Sequence, residues 1–234
     1  KGSYIIEIAQ GIEIDSTFSQ TEKEALTADL PSDDEEKIDV LIERIKMSYS
    51  NNWLLIREHG LDYVIKSIKE DLTEFKVIFD NWFFESSLGK LTDKESEISM
   101  ALDQVKKDHA YEKNGAVWLE STKFGDDKDR VIIREDGRGT YLSADLAYHR
   151  NKLDRGFDTI INVWGSDHHG YIKRIEATIE AMGYSKKQMQ VQLVQFANLF
   201  DNGSKVKMST RSGNFYTLKQ LIDDIGPDAS RFYY

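Results

Sequence analysis

The sequence contains no cysteine, only two prolines and no long run of apolar residues. Without cysteine, the chain has no disulfide framework, no thiolate metal site and no thiol nucleophile. No segment approaches the roughly 20 consecutive apolar residues that a membrane-spanning helix needs, and we find no signal-peptide pattern. We therefore expect no membrane contact. The absence of cysteine leaves the compartment open, and a reducing cytoplasm fits it most simply.

The apolar share of 40% among 234 residues is enough for a sizeable core. The net charge of −10 is unevenly placed, since residues 1–110 carry 13 basic and 24 acidic side chains and residues 111–234 carry 18 and 17. Nucleic-acid affinity depends on neutralised phosphates, so any nucleic acid must be bound by the second half or by parts outside this sequence. The chain starts at Lys1 rather than Met, which indicates a piece of a longer protein.

The first part of the chain is predicted to be mainly helical. Ser32 and Glu35 have the spacing of a capping box, which predicts a helix start. Thr92 and Glu95 predict a second start of the same kind. Between the two, alternating apolar residues over 75–84 predict a buried strand.

The middle of the chain carries a hairpin signal. Asn114 and Gly115 separate two short runs of strand-forming residues and accept the positive φ values of a tight turn. A strand at 130–134 follows. We expect a β-hairpin insertion at about 110–135.

The second half alternates helices with strands. The predicted order is a helix near 141–153, a strand at 159–164, a helix near 170–182, a strand at 191–196 and a helix after Thr217. This alternation predicts an α/β fold with a parallel sheet. Because ligands bind at the carboxyl ends of parallel strands, residues 165–170 and the loop at 202–213 are the candidate sites.

The segment Gly165-Ser166-Asp167-His168-His169-Gly170 follows an apolar strand and precedes a helix. Its small residues would let a ligand approach the backbone, and Asp167 could accept hydrogen bonds from a ribose diol. Two other interpretations stay open. Asp167 could act only as a helix cap, or Asp167 and the two histidines could bind a metal, although adjacent residues rarely converge on one ion.

Tyr141, Asp145 and Tyr148 have the spacing of one helical face. A carboxylate between two phenols would suit a planar cation, because it can pair with a guanidinium in bidentate fashion. From the residues alone, an internal salt bridge to Arg150 or Lys152 is the more common arrangement.

Two further segments, both rich in charged residues, are candidates for a binding site. The loop around Lys205, Lys207 and Arg211 places three cations among small residues, which suits triphosphate charge but is also typical of a solvated basic loop. The acidic turn at 126–129 offers carboxylates for Mg²⁺, although a solvated turn is the simpler interpretation.

Taken in order, these segments resemble arginyl-tRNA synthetases, which are class I aminoacyl-tRNA synthetases. The resemblance covers essentially the whole chain. Its motifs are Phe79-Asp80-Asn81-Trp82-Phe83-Phe84-Glu85, Tyr111 to Trp118, Phe124 to Val131, Tyr141 to Tyr148, Val163 to Tyr171, and Lys207-Met208-Ser209 through Phe215.

The resemblance implies a partial Rossmann-like parallel sheet, the class I synthetase catalytic fold, with helical and β-hairpin insertions. It implies a helical insertion at 1–74 and the second part of the nucleotide-binding catalytic domain at 75–234. The implied activity is ATP-dependent conversion of arginine to arginyl-adenylate, followed by transfer to tRNA(Arg). ATP is then a substrate, accompanied by Mg²⁺, and no metal is held by the protein itself.

The resemblance also implies roles for individual residues. The arginine-binding residues would be Tyr141, Asp145 and His168. The ATP-binding residues would be Gly165, Asp167, Val206 and Met208. The catalytic residues, in the loop that closes over the triphosphate, would be Lys207, Ser209 and Arg211.

Two departures from the family pattern qualify these roles. Thr210 stands where the second lysine of Lys-Met-Ser-Lys-Ser is usual, so Arg211 would supply the missing charge. The His-x-Gly-His signature is absent from the sequence, and in this family it precedes the region matched here. We therefore expect the chain by itself to be inactive. The alternatives are another class I nucleotidyl-transfer domain and a non-catalytic module that binds a nucleotide or arginine.

Overall fold

The computed structural model describes residues 4–12, 18–195, 198, 200–201, 204–205 and 216–233. The chain divides into two compact units. One consists of Lys1–Asp80 with Phe200–Tyr234, and the other is Asn81–Leu199. The sequence-based division into a helical insertion at 1–74 and a catalytic part at 75–234 stays a prediction.

The second unit contains both helices and strands, while helices predominate in the first. The helices are α1 (Tyr4–Gly11), α2 (Gln20–Thr27), α3 (Asp34–Ser48), α4 (Ser50–Glu74), α5 (Glu97–His109), α6 (Tyr141–Asp154), α7 (Ile172–Ala181), α8 (Leu218–Ile225) and α9 (Pro227–Tyr233). The strands are β1 (Ala110–Lys113), β2 (Ala116–Leu119), β3 (Arg130–Ile133), β4 (Ile160–Gly165), β5 (Met189–Val194), β6 (Phe200–Asp201) and β7 (Ser204–Lys205).

In the first unit, charged side chains join α8 and α9 to the end of α4. Lys219 on α8 lies 3.3 Å from Glu74 and 2.5 Å from Asp223. Lys76 lies 2.5 Å from Asp228 on α9. The start of α8 is fixed by the predicted capping box of Thr217, whose side chain accepts a hydrogen bond from the backbone N–H of Gln220.

The second unit has a continuous apolar core between helices and sheets. Helices α5, α6 and α7 each turn a face inward, and their fully buried side chains include Leu102, Leu146 and Ile175. The antiparallel sheet β1-β2-β3 adds Leu119 and Ile132 to the same core. Burial of such side chains stabilises a domain by about 1.5–3 kcal/mol each, so this core anchors the helix and turn that carry the candidate site.

The predicted hairpin is confirmed. Strands β1 and β2 pair antiparallel around Asn114 and Gly115, which adopt φ values of 53° and 74°. Such positive values are open to Asn and Gly at low cost, which explains why this dipeptide sets the turn. The strand predicted at 130–134 is present as β3, and it pairs antiparallel with β2.

The predicted parallel pairing is also confirmed. Strands β4 and β5 run parallel in register from Ile160 beside Met189 to Gly165 beside Val194. The first four residues of β4 alternate between the core and the outside, because Ile160 and Asn162 are buried and Ile161 and Val163 are exposed. Both strands therefore end at the same edge, where the turn after Gly165 begins.

The predicted strand at 75–84 is wrong, since the structure describes all ten residues and places none in a strand. Lys76 takes a φ of 59°, which breaks an extended backbone. The guanidinium of Arg231 donates hydrogen bonds to the carbonyls of Phe75 and Lys76 at 2.8 and 3.0 Å, so these groups are satisfied without a sheet.

Two predicted helix starts are displaced. Helix α3 is capped by Asp33 rather than Ser32, because the Asp33 carboxylate accepts hydrogen bonds from the backbone N–H groups of Glu35 and Glu36. Helix α5 is capped by Ser96, four residues after Thr92. In both places several side chains suitable for capping lie close together, and the sequence spacing alone does not choose among them.

Within the described part of the chain, no helix is both long enough and apolar enough to cross a membrane.

Candidate active site

Helix α6 and the segment before α5 enclose a cavity of about 260 Å³. Tyr141, Asp145 and Tyr148, which form the predicted tyrosine–aspartate face of α6, all border this cavity. The full lining is Phe83, Glu85, Leu88, Tyr141, Ala144, Asp145 and Tyr148. Two carboxylates and three aromatic rings thus border one small space, which favours a flat cation over an anion.

Asp145 does not form the internal salt bridge to Arg150 or Lys152 that was the alternative to binding a planar cation. Arg150 lies 3.5 Å from Glu97 and 3.4 Å from Asp154. Asp145 Oδ2 instead accepts a 2.6 Å hydrogen bond from the hydroxyl of Tyr171. Among the described residues, no basic side chain lies within salt-bridge distance of Asp145, so its charge is not paired within this part of the chain.

Aromatic contacts fix one wall of the cavity. The rings of Phe83 and Tyr148 stack with centroids 4.4 Å apart and planes inclined by 22°. The ammonium group of Lys152 lies 4.5 Å from the centre of the Tyr148 ring. Tyr141, in contrast, is 84% exposed and stands at the rim of the cavity. The ring of Tyr148 is therefore held between neighbouring side chains, and the side chain of Tyr141 is accessible to a ligand from solvent.

The turn after β4 presents its polar groups to solvent. Residues Ser166–Tyr171 form a short 3₁₀-helix that leads into α7. His168 Nε2 lies 3.6 Å from Asp167 Oδ2, and both side chains are more than half exposed. A Cβ built on Gly170 would meet no atom within 4 Å, so the backbone there is open to approach. His168 does not line the cavity around Asp145.

The remaining candidate residues follow β7 in the sequence. Residues 206–215 are outside the described part of the chain. They include Val206, Lys207, Met208, Ser209 and Arg211, so the structure gives no position for the predicted triphosphate loop.

Tyr171 connects the turn to α6 and carries a strongly perturbed hydroxyl. Burial and the hydrogen bond to Asp145 raise the pKa of Tyr171 well above its usual range, so the phenol stays protonated and donates. The guanidinium of Arg174 lies 4.6 Å from the centre of the same ring. The phenol therefore fixes one oxygen of the Asp145 carboxylate and leaves the other for a ligand.

The acidic turn at 126–129 is solvated only in part, since the side chain of Asp127 is 73% exposed and that of Asp126 only 2%. Asp126 pairs with Arg130 through two 2.8 Å hydrogen bonds. These bonds hold the pKa of Asp126 well below its usual range, although burial by itself would raise that pKa. Asp129 accepts from Thr122 and Tyr111. Within the described residues, no group of three or more possible ligands is placed to hold a metal ion.

Sequence reasoning missed several residues that shape this site. Phe83 and Tyr171 reach it from other elements, and only their long-range contacts reveal them. His149 and Asn162 lie behind the cavity and are buried. The available signal was a polar residue within the apolar strand β4, since a buried amide needs a partner.

The family model described as "tRNA synthetases class I (R), catalytic domain" matches residues 39–231. The chain belongs to this family.

The arginine–tRNA ligase of Bacillus licheniformis is 49% identical to the chain over 186 residues, which cover 79% of this chain and 33% of the relative. The arginine–tRNA ligase of Thioalkalivibrio sulfidiphilus is 42% identical over 244 residues, covering 100% and 41%. A crystal structure from Campylobacter jejuni, assigned as an arginyl-tRNA synthetase, superimposes with a TM-score of 0.70 at 34% identity, covering 90% of this chain and 47% of that one.

Membership establishes the fold as that of the class I synthetase catalytic domain, with helices around a parallel sheet. The chain spans about a third to two-fifths of the length of the curated relatives that it matches.

Proposed function

We propose that this chain is part of the catalytic domain of an arginine–tRNA ligase. The complete enzyme uses ATP to convert arginine to arginyl-adenylate and then transfers the arginyl group to tRNA(Arg). Membership of the class I family supports the reaction type, and the names of the relatives support arginine as the amino acid. A cytoplasmic location follows from this proposal, because charged tRNA is consumed by cytoplasmic ribosomes.

The observation that carries the proposal is the cavity at Asp145. Its carboxylate is not paired with a base among the described residues, and the stacked ring of Tyr148 borders the same space. Glu85 adds a second carboxylate. A guanidinium is planar, always charged and able to donate two parallel hydrogen bonds to one carboxylate. Lysine would offer a point charge that makes less use of the flat wall.

The other assignments extend the same proposal. Gly165 and Asp167 contact the ATP ribose at the end of β4, and His168 lies towards the arginine side chain. Val206 and Met208 contact the adenine end of ATP. Lys207, Ser209 and Arg211 contact the triphosphate, which Mg²⁺ accompanies as part of the substrate. What supports these roles is the family motif and the open backbone at the turn.

The chemistry that these residues serve is a displacement at the α-phosphorus of ATP. A carboxylate oxygen of arginine forms a bond to that phosphorus, and the bond from phosphorus to the bridging oxygen of pyrophosphate breaks. Negative charge grows on the leaving pyrophosphate. Cations in the loop, Lys207 above all, lower the barrier to the extent that they bind this charge more tightly in the transition state.

Arginine-dependent exchange of pyrophosphate into ATP, measured both without and with tRNA(Arg), tests the proposal in the complete gene product that contains this chain. We expect exchange with arginine and little with lysine or methionine, and arginylation when tRNA(Arg) is added. Comparable exchange with all three amino acids would favour another class I nucleotidyl-transfer domain. Binding of arginine or ATP with no exchange would favour a non-catalytic module.

The chain itself provides a second measurement. Because it has no His-x-Gly-His segment, it lacks transition-state contacts that this signature supplies in the family. We therefore expect no exchange from the 234-residue chain alone. Exchange at a rate close to that of the complete enzyme would contradict the assignment of those contacts.

A further inference from the structure

A chain of hydrogen bonds runs behind the cavity and joins helix α6 to strand β4. The ammonium of Lys152 donates to Asn162 Oδ1 at 2.7 Å. Asn162 Nδ2 lies 2.9 Å from His149 Nε2, and His149 Nδ1 lies 2.8 Å from the backbone carbonyl oxygen of Asp145. His149 and Asn162 are 3% and 7% exposed, so they depend on each other rather than on water.

The direction of every bond in this chain follows from its two ends. A carbonyl oxygen only accepts, so His149 must donate from Nδ1 to Asp145 and must accept at Nε2. The amide of Asn162 then has to turn its nitrogen to His149 and its oxygen to Lys152. Burial, together with nearby Lys152, lowers the pKa of His149 to about 4, which keeps the ring in this neutral form. This one arrangement of donors and acceptors satisfies the Asp145 carbonyl, His149, Asn162 and Lys152.

The two central residues of the network lie on the elements that carry the candidate site. His149 is one helical turn after Asp145 on α6, and Asn162 is three residues before Gly165, where β4 ends. Neither side chain lines the cavity, so neither touches a ligand placed there. What the pair controls is the position of α6 relative to the strand.

We propose that His149 and Asn162 are positioning residues, which hold Asp145 at a fixed distance and orientation relative to the turn that follows β4. This inference rests on the proposed function, because it gives the pair a role in presenting Asp145 to arginine. Its effect is exerted through the helix backbone, since the imidazole binds the main chain of Asp145 and not its carboxylate.

The test uses steady-state exchange kinetics of the complete enzyme with four variants. Asn162→Ala breaks both side-chain links between α6 and β4, whereas His149→Leu breaks the link that reaches the Asp145 carbonyl and leaves the bond from Lys152 to Asn162 in place. His149→Gln keeps an acceptor close to the position of Nε2, so it preserves the link to Asn162. Ser121→Ala is the matched control, because this fully buried hydroxyl donates to the carbonyl of Lys128 at 2.8 Å and has no contact with the network.

We expect Asn162→Ala and His149→Leu to raise the KM for arginine about tenfold, the change that corresponds to one lost buried hydrogen bond. The KM for ATP should stay within about twofold, since the turn remains attached to the sheet. His149→Gln should recover only part of the affinity for arginine, because it restores the bond to Asn162 but not the donor to the Asp145 carbonyl. Ser121→Ala should lower the melting temperature while leaving both KM values unchanged.

The outcomes separate the two proposals. If both breaking variants lose melting temperature but keep a wild-type KM for arginine, the pair is structural only and the inference is overturned. If the unaltered enzyme shows no arginine-dependent exchange, the proposed function itself fails. Should the breaking variants not fold, Lys152→Met carries the test, because it removes the outermost donor and leaves His149 and Asn162 paired. It should raise the KM for arginine about threefold, and an unchanged KM would again overturn the inference.

Discussion

Tyr171 and Asp145 lie 26 residues apart in sequence and are joined by a 2.6 Å hydrogen bond from the phenol to Oδ2. The bond crosses from the turn after β4 to helix α6. It orients one oxygen of the carboxylate before any ligand is present, and such preorganisation reduces the entropy lost on binding. The strength of the site therefore depends on a residue outside the tyrosine–aspartate face of α6.

Tyr171→Phe should weaken arginine binding in the complete enzyme. Loss of one hydrogen bond to a charged group is expected to raise the KM for arginine roughly 10-fold, with the KM for ATP little changed. Tyr184→Phe is the matched control, because the phenol of Tyr184 donates in the same way to Asp154 at the far end of α6. Equal effects of the two substitutions in arginine titrations would show that Tyr171 only stabilises the fold.

Asp145→Asn keeps the shape of the side chain and removes its charge. A guanidinium that loses a buried charged partner costs about 2–5 kcal/mol, so use of arginine should fall by roughly 30-fold or more. The KM for ATP should change little, and exchange assays with each substrate varied in turn measure both. A matching collapse in the use of ATP would assign Asp145 a structural role. Asp154→Asn, on the same helix, controls for loss of helix charge.

The predicted loop at 202–213 should affect turnover more than binding. A cation that meets charge only as pyrophosphate leaves contributes to the transition state and little to the bound ground state. We expect Lys207→Ala to slow adenylate formation by about 10- to 1000-fold. Arg211→Ala should give a smaller effect of the same kind if it replaces the lysine absent at Thr210. Single-turnover kinetics decides the matter, with exposed Lys187→Ala as the control.

His149 should make the stability of the chain depend on pH. The pKa of this ring is about 4 in the folded state and 6.5 as a free side chain. Between these values the unfolded state binds a proton that the folded state does not, so stability falls as the pH falls from about 6.5 to 4. From pH 7 to pH 5 the loss should be about 2 kcal/mol. Urea unfolding at the two pH values measures it.

His149→Gln is the control for this pH dependence, since it removes the titrating ring and keeps one hydrogen-bonding group. Its unfolding free energy should change by about 2 kcal/mol less than that of the unaltered chain over the same interval. An identical pH dependence in the two proteins would mean that His149 is protonated without cost in the folded state.

The features that the sequence predicted correctly are those set by neighbouring residues. Asn114 and Gly115 determine a turn by their own backbone preferences, and Thr217 caps α8 through a residue three positions later. The residues at 75–84 show the limit of this reasoning. Their alternation is typical of a strand, but Arg231, more than 150 residues away, occupies the carbonyl groups of Phe75 and Lys76.

In the candidate site, too, the sequence predicted what neighbouring residues determine and missed what distant residues determine. Helical spacing placed Tyr141, Asp145 and Tyr148 along one cavity. It could not reveal that the partner of Asp145 is Tyr171 rather than Arg150 or Lys152, because that choice depends on how α6 packs against the turn after β4. Packing between distant elements depends on the whole core, so a local sequence pattern does not predict it.

The exposed side of the β4–β5 pair affects how the chain behaves in solution. Within the described residues these strands pair only with each other, and Ile161 and Val163 are 62% and 65% exposed on one face. Open strand edges beside an apolar stripe promote self-association. The net charge of −10 opposes it through repulsion between molecules, and added salt screens that repulsion within about 10 Å at 0.1 M. The chain is therefore best kept dilute and at low ionic strength, and its colloidal stability declines as salt is raised.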